Sequence, residues 1–275
     1  MFPIYQIDAF TDEPFKGNPA AICLLSKDYP DRVLQNIAAE MNLSETAFLY
    51  ISDKQNICKQ KRFRLRWFTP QVEVNLCGHA TLATSHLLFH IHKIDSDYVT
   101  YETLSGELSA TKTENGVLLD FPMNKPELIE PPLELLEALG LKTVIATAYS
   151  SDVEDILVEI EDMSAVKSLK PKFNNLKQIS TDIPIRGVIV TAKGEDKYDF
   201  VSRFFGPWVG IDEDPVTGSA HTILAPYWAE KLNKSVMKAY QMSNRGGEVH
   251  VKLPSNDRVE LVGNSFLVLK GEFYV

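Results

Sequence analysis

A short aromatic block occurs twice in this chain. Arg66-Trp67-Phe68-Thr69-Pro70 is matched by Arg203-Phe204-Phe205-Gly206-Pro207, and the offset is constant, since 203 − 66 and 207 − 70 both equal 137. Each block is followed by acidic residues, a small-residue turn and an apolar helical stretch. In the first copy these are Glu73, Cys77-Gly78-His79-Ala80-Thr81 and Leu82 to Phe89. The second has Glu213-Asp214, Thr217-Gly218-Ser219-Ala220-His221 and Thr222 to Ala229. Agreement in order and type implies duplication. The period is far longer than a solenoid repeat, and half of 275 residues is 137.5. The expected architecture is two lobes built from one half.

Hydrophobic periodicity fills in the elements. Phe2 to Ala9 and Ala20 to Leu25 read as strands on either side of a turn at Asn18-Pro19. Val33, Leu34, Ile37, Ala38 and Met41 have helical spacing over Asp31 to Met41. Thr46 to Ile51 and Phe63 to Phe68 turn β-like, Ala80 to His92 is helical, and Tyr98 to Phe121 reads as short strands broken at Gly106 and Asn115-Gly116. That dipeptide predicts a hairpin turn with positive φ. Met123 to Pro132, rich in Pro, Glu, Asn and Lys, reads as a linker. Beyond it come a short helix over Leu133 to Leu141 closed by Gly140, strands at Ile156–Ile160, Gly187–Thr191 and Phe200–Phe205, and a strongly apolar helix from Gly218 to Leu232. Strands resume at Val249–Leu253, Arg258–Val262 and Phe266–Leu269.

Charge and cysteine content narrow the function classes. With 28 basic and 37 acidic residues the formal charge is −9, which argues against nucleic acid and anionic membrane surfaces as partners. The 44% hydrophobic content supports a substantial core. Met1 to Phe10 lacks the pattern of a secretory signal, and there is no apolar run of 18 residues. Cys23, Cys58 and Cys77 form no CxxC pair, so neither a disulfide framework nor a thiolate zinc site is expected. Cytosol is the default compartment.

Both small-residue turns fall at helix starts, where uncovered N–H groups and the helix dipole favour an anion. Thr217 or Ser219 could equally serve only as caps. His79, beside Gly78, reads as a proton shuttle of near-neutral pKa or as an ordinary capping histidine. Asp214 reads as a polar partner or as an acid favoured by the dipole. Glu45, in Asn42-Leu43-Ser44-Glu45-Thr46, stands at the edge of an apolar strand. There it is either a desolvated acid/base or a solvated loop glutamate. His86 and His90, four apart on a helix, lack the third ligand of an HExxH site and read as surface or core residues. No dinucleotide, P-loop or GxSxG motif is present, so a nucleotide cofactor is unsupported.

Taken together, these motifs resemble the phenazine-biosynthesis PhzF-like family. The resemblance is carried by Asp8-Ala9-Phe10, Gly17-Asn18-Pro19-Ala20, Met41 to Thr46, Arg66 to Pro70, Cys77 to Thr81, Ser202 to Phe205, Glu213 to His221 and Arg245-Gly246-Gly247-Glu248. It implies an α+β, diaminopimelate epimerase-like fold of two pseudo-symmetric lobes, each a mostly antiparallel sheet wrapped around a central helix. The lobes would be residues 1–122, completed by the last strand at 264–275, and residues 123–263. It also implies a cofactor-independent, metal-independent isomerase that moves a proton within a small carboxylate-bearing substrate held between the lobes.

In that resemblance Glu45 is the acid/base, with His79 and Asp214 as catalytic partners. Asn18, Gly78, Thr217, Gly218 and Ser219 bind substrate, and a homodimer is implied. Related two-cysteine racemases place a thiol where Cys77 stands, but the matching place in the second motif is Pro215 or Val216. A single carboxylate acting on one face is therefore expected, with Cys77 a small buried residue. The contrasting reading is a non-catalytic interaction protein that retains the fold.

Overall fold

The computed structural model describes residues 1–52, 56–254 and 256–275. The chain divides into two compact units, one of Met1–Asp120 with Leu261–Val275 and the other of Phe121–Glu260.

The first unit begins with β1 (Phe2–Ala9), β2 (Asn18–Leu25), helix α1 (Asp31–Met41) and β3 (Glu45–Tyr50). It continues with β4 (Arg62–Phe68), β5 (Glu73–Val74), α2 (Gly78–His86), β6 (Tyr98–Thr103), β7 (Gly106–Thr113) and β8 (Gly116–Pro122). The closing strand of the chain, Ser265–Phe273, pairs antiparallel with β1. β1–β2, β3–β4, β6–β7 and β7–β8 are also antiparallel, while β2–β3 and β4–β6 are parallel. The sheet is mostly antiparallel, and α2 packs on β1, β2, β3 and the closing strand.

The second unit contains β9 (Glu127–Leu128), α3 (Leu133–Leu139), β10 (Ala146–Ser150), β11 (Asp155–Glu159), α4 (Met163–Ser168) and α5 (Phe173–Leu176). Then come β12 (Gly187–Lys193), β13 (Phe200–Gly206), β14 (Ile211–Asp214), α6 (Gly218–Leu232), β15 (Val236–Gln241), β16 (Gly247–Lys252) and β17 (Arg258–Gly263), whose last three residues belong to the first unit. Its pairings repeat those of the first unit. β10–β11 is antiparallel, β11–β12 parallel, β12–β13 antiparallel, β13–β15 parallel and β15–β16 antiparallel. The order β1, β2, β3, β4, α2, β6, β7 is thus matched by β10, β11, β12, β13, α6, β15, β16.

The duplicated aromatic block has the same job twice. Arg66 Nε and Nη2 donate to Glu73 Oε1 and Oε2 at 2.6 and 2.7 Å, and the guanidinium lies 5.1 Å from the Phe68 ring centroid. Arg203 makes the same fork with Glu213 at 2.7 and 2.9 Å, 4.9 Å from Phe205. Each fork ties a central strand to the segment that feeds the buried helix. The offset grows from 137 at the arginines to 213 − 73 = 140 at the glutamates. The three extra residues fall after Pro207, where a 3-10 turn, Pro207–Val209, leads into Gly210.

Both central helices are buried nearly all round, so neither shows the amphipathic stripe of a surface helix. Their hydroxyls are satisfied internally. Thr81 donates to Cys77 O at 2.6 Å, Thr84 to Ala80 O at 2.7 Å, and Ser85 to Thr81 O at 2.7 Å. Ser85 also meets the buried Tyr101 hydroxyl at 2.7 Å. In α6 Pro226 has no N–H for the carbonyl of Thr222. The Asn124 N–H fills that place at 3.2 Å while its amide donates to Thr222 Oγ1 at 2.7 Å.

Ala80 to His92 is helical as expected, α2 ending at His86 and continuing as a π turn over Leu87–Ile91. Two local expectations change. The hairpin loop is Glu114-Asn115, with Thr113 opposite Gly116. Only Gly116 has positive φ, +121°, and a Cβ there would lie 2.4 Å from Gly263 O, so close backbone approach selects this glycine. Met123 to Pro132 is also more than a linker, since Glu127–Leu128 pairs with β10. Among the described residues no helix is long and apolar enough to cross a membrane.

The two forks predict unequal costs. Glu213→Ala leaves Arg203, with only 11% of its side chain exposed, holding just the carbonyls of Val166 and Leu169. The expected loss is about 2–4 kcal/mol in urea denaturation. Glu73→Ala should cost less, because Arg66 keeps Asp31 at 2.8 Å.

Candidate functional site

In the first unit four of the expected site residues converge at the start of α2. Helix α1 ends at Asn42 in the left-handed conformation, and three residues later β3 begins with Glu45. Gly17 has φ +63°, and a Cβ there would sit 2.1 Å from Ala9 O. Only glycine lets the chain turn this tightly into β2, whose first residue is Asn18. Cys77 is extended at the helix boundary, Gly78 opens α2 and His79 follows.

His79 sits at the centre of this group. Its Nε2 is 3.2 Å from Glu45 Oε2, with 6% and 13% of the two side chains exposed. Asn18 Nδ2 lies 3.3 Å from His79 Nδ1, and Cys77 Sγ 3.6 Å from the same nitrogen. With Nδ1 accepting from the Asn18 amide, the ring proton belongs on Nε2, facing the glutamate. The Nε2–Oε2 approach is within ion-pair distance yet lacks hydrogen-bond alignment. Such contacts commonly tighten only when substrate is bound.

The near-neutral pKa expected of His79 is overturned. Burial pushes it down to about 3, so the ring is neutral at physiological pH and no imidazolium is available. Glu45 is partly buried at a strand start, and its partner is His79. No side chain caps α2, which leaves its first N–H groups, including that of Gly78, without a side-chain acceptor.

The second unit places Asp214, Thr217, Gly218 and Ser219 around the start of α6. Thr217 precedes α6, but its side chain does not cap the helix, so the capping alternative fails for it. Its hydroxyl donates to Asp214 Oδ2 at 2.5 Å, and its N–H donates to Gln241 Oε1 at 2.9 Å. Gln241 Nε2 donates in turn to Asp214 O at 2.8 Å. Asp214 is thus held by a side-chain network, and the helix dipole is not what fixes it. Ser219 Oγ accepts from Arg186 Nη2 at 3.0 Å, and Arg186 forks onto the wholly buried Asp155.

Gln241, Arg186 and Asp155 were not apparent from the sequence. A polar residue ending the strand pattern Val236–Gln241 was the one available signal for Gln241. His221 is also buried, at 0% exposed, and its Nδ1–H donates to Thr217 O at 2.8 Å. His86 and His90 lie with ring centroids 4.7 Å apart. Among the described residues, the cluster whose donor atoms could hold a metal is Glu45, Cys77 and His79, with one ligand atom from each within 4.8 Å of the others.

This arrangement, a buried helix opening beside a carboxylate on a mostly antiparallel sheet, is that of the α+β diaminopimelate epimerase-like fold. The sequence profile of the phenazine biosynthesis-like protein family matches residues 7–271. A Halalkalibacterium halodurans protein named as an uncharacterized isomerase is 47% identical over 273 residues, covering 98% of this chain and 97% of that protein. The crystal structure of a PhzF family phenazine biosynthesis protein from Enterococcus faecalis is similar with a TM-score of 0.91 at 43% identity, covering 100% of this chain and 99% of that one. A predicted epimerase from Pseudomonas aeruginosa, 20% identical, shares the fold with a TM-score of 0.76 over 100% of both chains. The chain belongs to the phenazine biosynthesis-like family.

The buried histidines predict a pH response. In the unfolded chain they titrate near ~6.5, whereas burial lowers His79 to about 3 and His221 to about 4. Between these values the unfolded state binds more protons, so stability is complete above pH ~6.5 and falls as pH drops. Each histidine contributes up to ~1.4 kcal/mol per pH unit in that window. His221→Gln is expected to shrink the difference in unfolding free energy between pH 7 and pH 5, measured by urea denaturation at both.

Proposed function

We propose that the protein is an isomerase that moves a proton within a small carboxylate-bearing substrate, with Glu45 as the acid/base and no resident cofactor. The observation that carries this reading is the 3.2 Å contact between Glu45 Oε2 and His79 Nε2 at the uncapped start of a buried helix. The name of the Halalkalibacterium halodurans relative supports the isomerase class.

The chemistry follows from the protonation states. Glu45, as a carboxylate, takes a proton from an activated carbon and becomes the acid that returns it to another carbon on the same face. His79, neutral at pH 7, does not compete as a proton donor. Its Nε2–H orients the carboxylate before transfer and the carboxyl group after it. Negative charge developing on the substrate is met by the backbone N–H groups that open α2, where the helix dipole adds partial positive charge. The matching set in the second unit, Asp214, Thr217, Gly218 and Ser219, is proposed to contribute substrate-binding groups, a role carried by the likeness of its motif to the family's.

A thermal-shift screen of small carboxylates identifies ligands, and solvent-deuterium incorporation into each hit reads out proton transfer. Glu45→Gln is expected to reduce incorporation by about 10²-fold or more while leaving the thermal shift in place. Incorporation at the wild-type rate would remove Glu45 from this role.

A further inference from the structure

The same cluster has a second chemical capacity. Glu45, Cys77 and His79 offer a carboxylate oxygen, a thiol sulfur and an imidazole nitrogen within 4.8 Å of one another. We propose that these three side chains form a binding site for a zinc-type divalent cation, and that occupancy takes Glu45 out of proton transfer. The binding part stands on the donors alone, and the loss of proton transfer rests on the role proposed for Glu45.

The donor set decides the class of ion. Thiolate with imidazole and one carboxylate suits zinc, or cobalt(II) as its spectroscopic substitute, whereas magnesium and calcium prefer oxygen donors. Tetrahedral zinc places sulfur, nitrogen and oxygen ligands roughly 3.3–3.6 Å apart. The Glu45 Oε2–His79 Nε2 pair at 3.2 Å is already near those separations; the 3.6 Å approach of Cys77 Sγ is to the other ring nitrogen, Nδ1, so the thiol is the ligand that has to move. Closing the widest separation to that spacing needs a shift of roughly 1 Å, within reach of a side-chain torsion. Three protein ligands leave the fourth position for water or a substrate carboxylate.

The surroundings support the ligands. The Asn18 amide beside Nδ1 can present its oxygen to an Nδ1–H once Nε2 is taken by metal, the outer contact that fixes ligating histidines. The start of α2 opposes a cation, a penalty small against the affinity of a thiolate–imidazole–carboxylate donor set. Two anionic ligands bring the occupied site to neutrality.

The test titrates the whole protein with Co²⁺ and with Zn²⁺ against a chromogenic chelator, with Mg²⁺ as a control. One equivalent should bind with a near-ultraviolet thiolate-to-cobalt band. Cys77→Ser should abolish the band and weaken zinc at least tenfold, Glu45→Gln should also weaken zinc, and His90→Gln should change neither. Circular dichroism verifies that each variant folds, and Cys77→Ala replaces Cys77→Ser if it does not. Zinc affinity unchanged in the Cys77 variant, cobalt bound without the band, or binding lost in His90→Gln overturns the site. If zinc binds as described while Glu45→Gln retains deuterium incorporation, the metal site stands and the proposed role of Glu45 falls.

Discussion

A helix surrounded by its own fold must return its polar side chains to its own backbone, and α2 is built on that constraint. Every residue from His79 to Ser85 is buried, yet three of the seven carry hydroxyls. Those hydroxyls close onto carbonyls four residues earlier, and Ser85 is shared with Tyr101. The energetic consequence is local. Leaving one such group unsatisfied would cost about 1–3 kcal/mol. The functional consequence lies at the other end of the helix. Thr81 Oγ1 donates to Cys77 O one turn in, and no side chain caps the helix, so the first-turn N–H groups remain a natural place for an anion.

That arrangement gives a chain of net charge −9 a place of partial positive potential built from backbone N–H groups. Backbone dipoles supply the field, and they cannot be titrated or displaced by a side-chain rotation. The histidine beside them follows the same economy. Buried and neutral, His79 faces Glu45 with an N–H and with no positive charge. A glutamate in contact with an imidazolium would be held ionised and made a poorer base. Contact with a neutral ring orients it without that charge.

Much of this was legible in the sequence because it depends on short-range pattern. Helix α1 was set by its apolar spacing, α3 by Gly140 in the left-handed conformation, and the repeat by the paired aromatic blocks. What escaped was whatever depends on a partner distant in the chain. Gln241 reaches Asp214 and Thr217 across 27 and 24 residues, and Arg186 reaches Ser219 across 33. Periodicity carries no information on such pairings. The protonation state of His79 escaped for the same reason, since a histidine next to glycine looks exposed until the sheet that covers it is in place. The Asn115-Gly116 turn failed differently. Its glycine was identified correctly, but backbone crowding by Gly263, 147 residues on, was the cause.

The duplication also shows how one frame can be given opposite electrostatics. In each unit the first residue of a strand, the start of the parallel strand beside it, and the second residue of the buried helix come together. In the first unit these are Asn18 on β2, Glu45 on β3 and His79 on α2. In the second they are Asp155 on β11, Arg186 immediately before β12 and Ser219 on α6. Where the first frame holds its carboxylate against a neutral ring, the second locks a guanidinium onto a wholly buried acid and cancels most of its charge internally. The carboxylate of the second frame is therefore committed to an ion pair, whereas Glu45 in the first faces no cation from its frame partners. The asymmetry gives the second copy a fixed, charge-balanced support for Ser219 and sets Glu45 beside a neutral ring in the first.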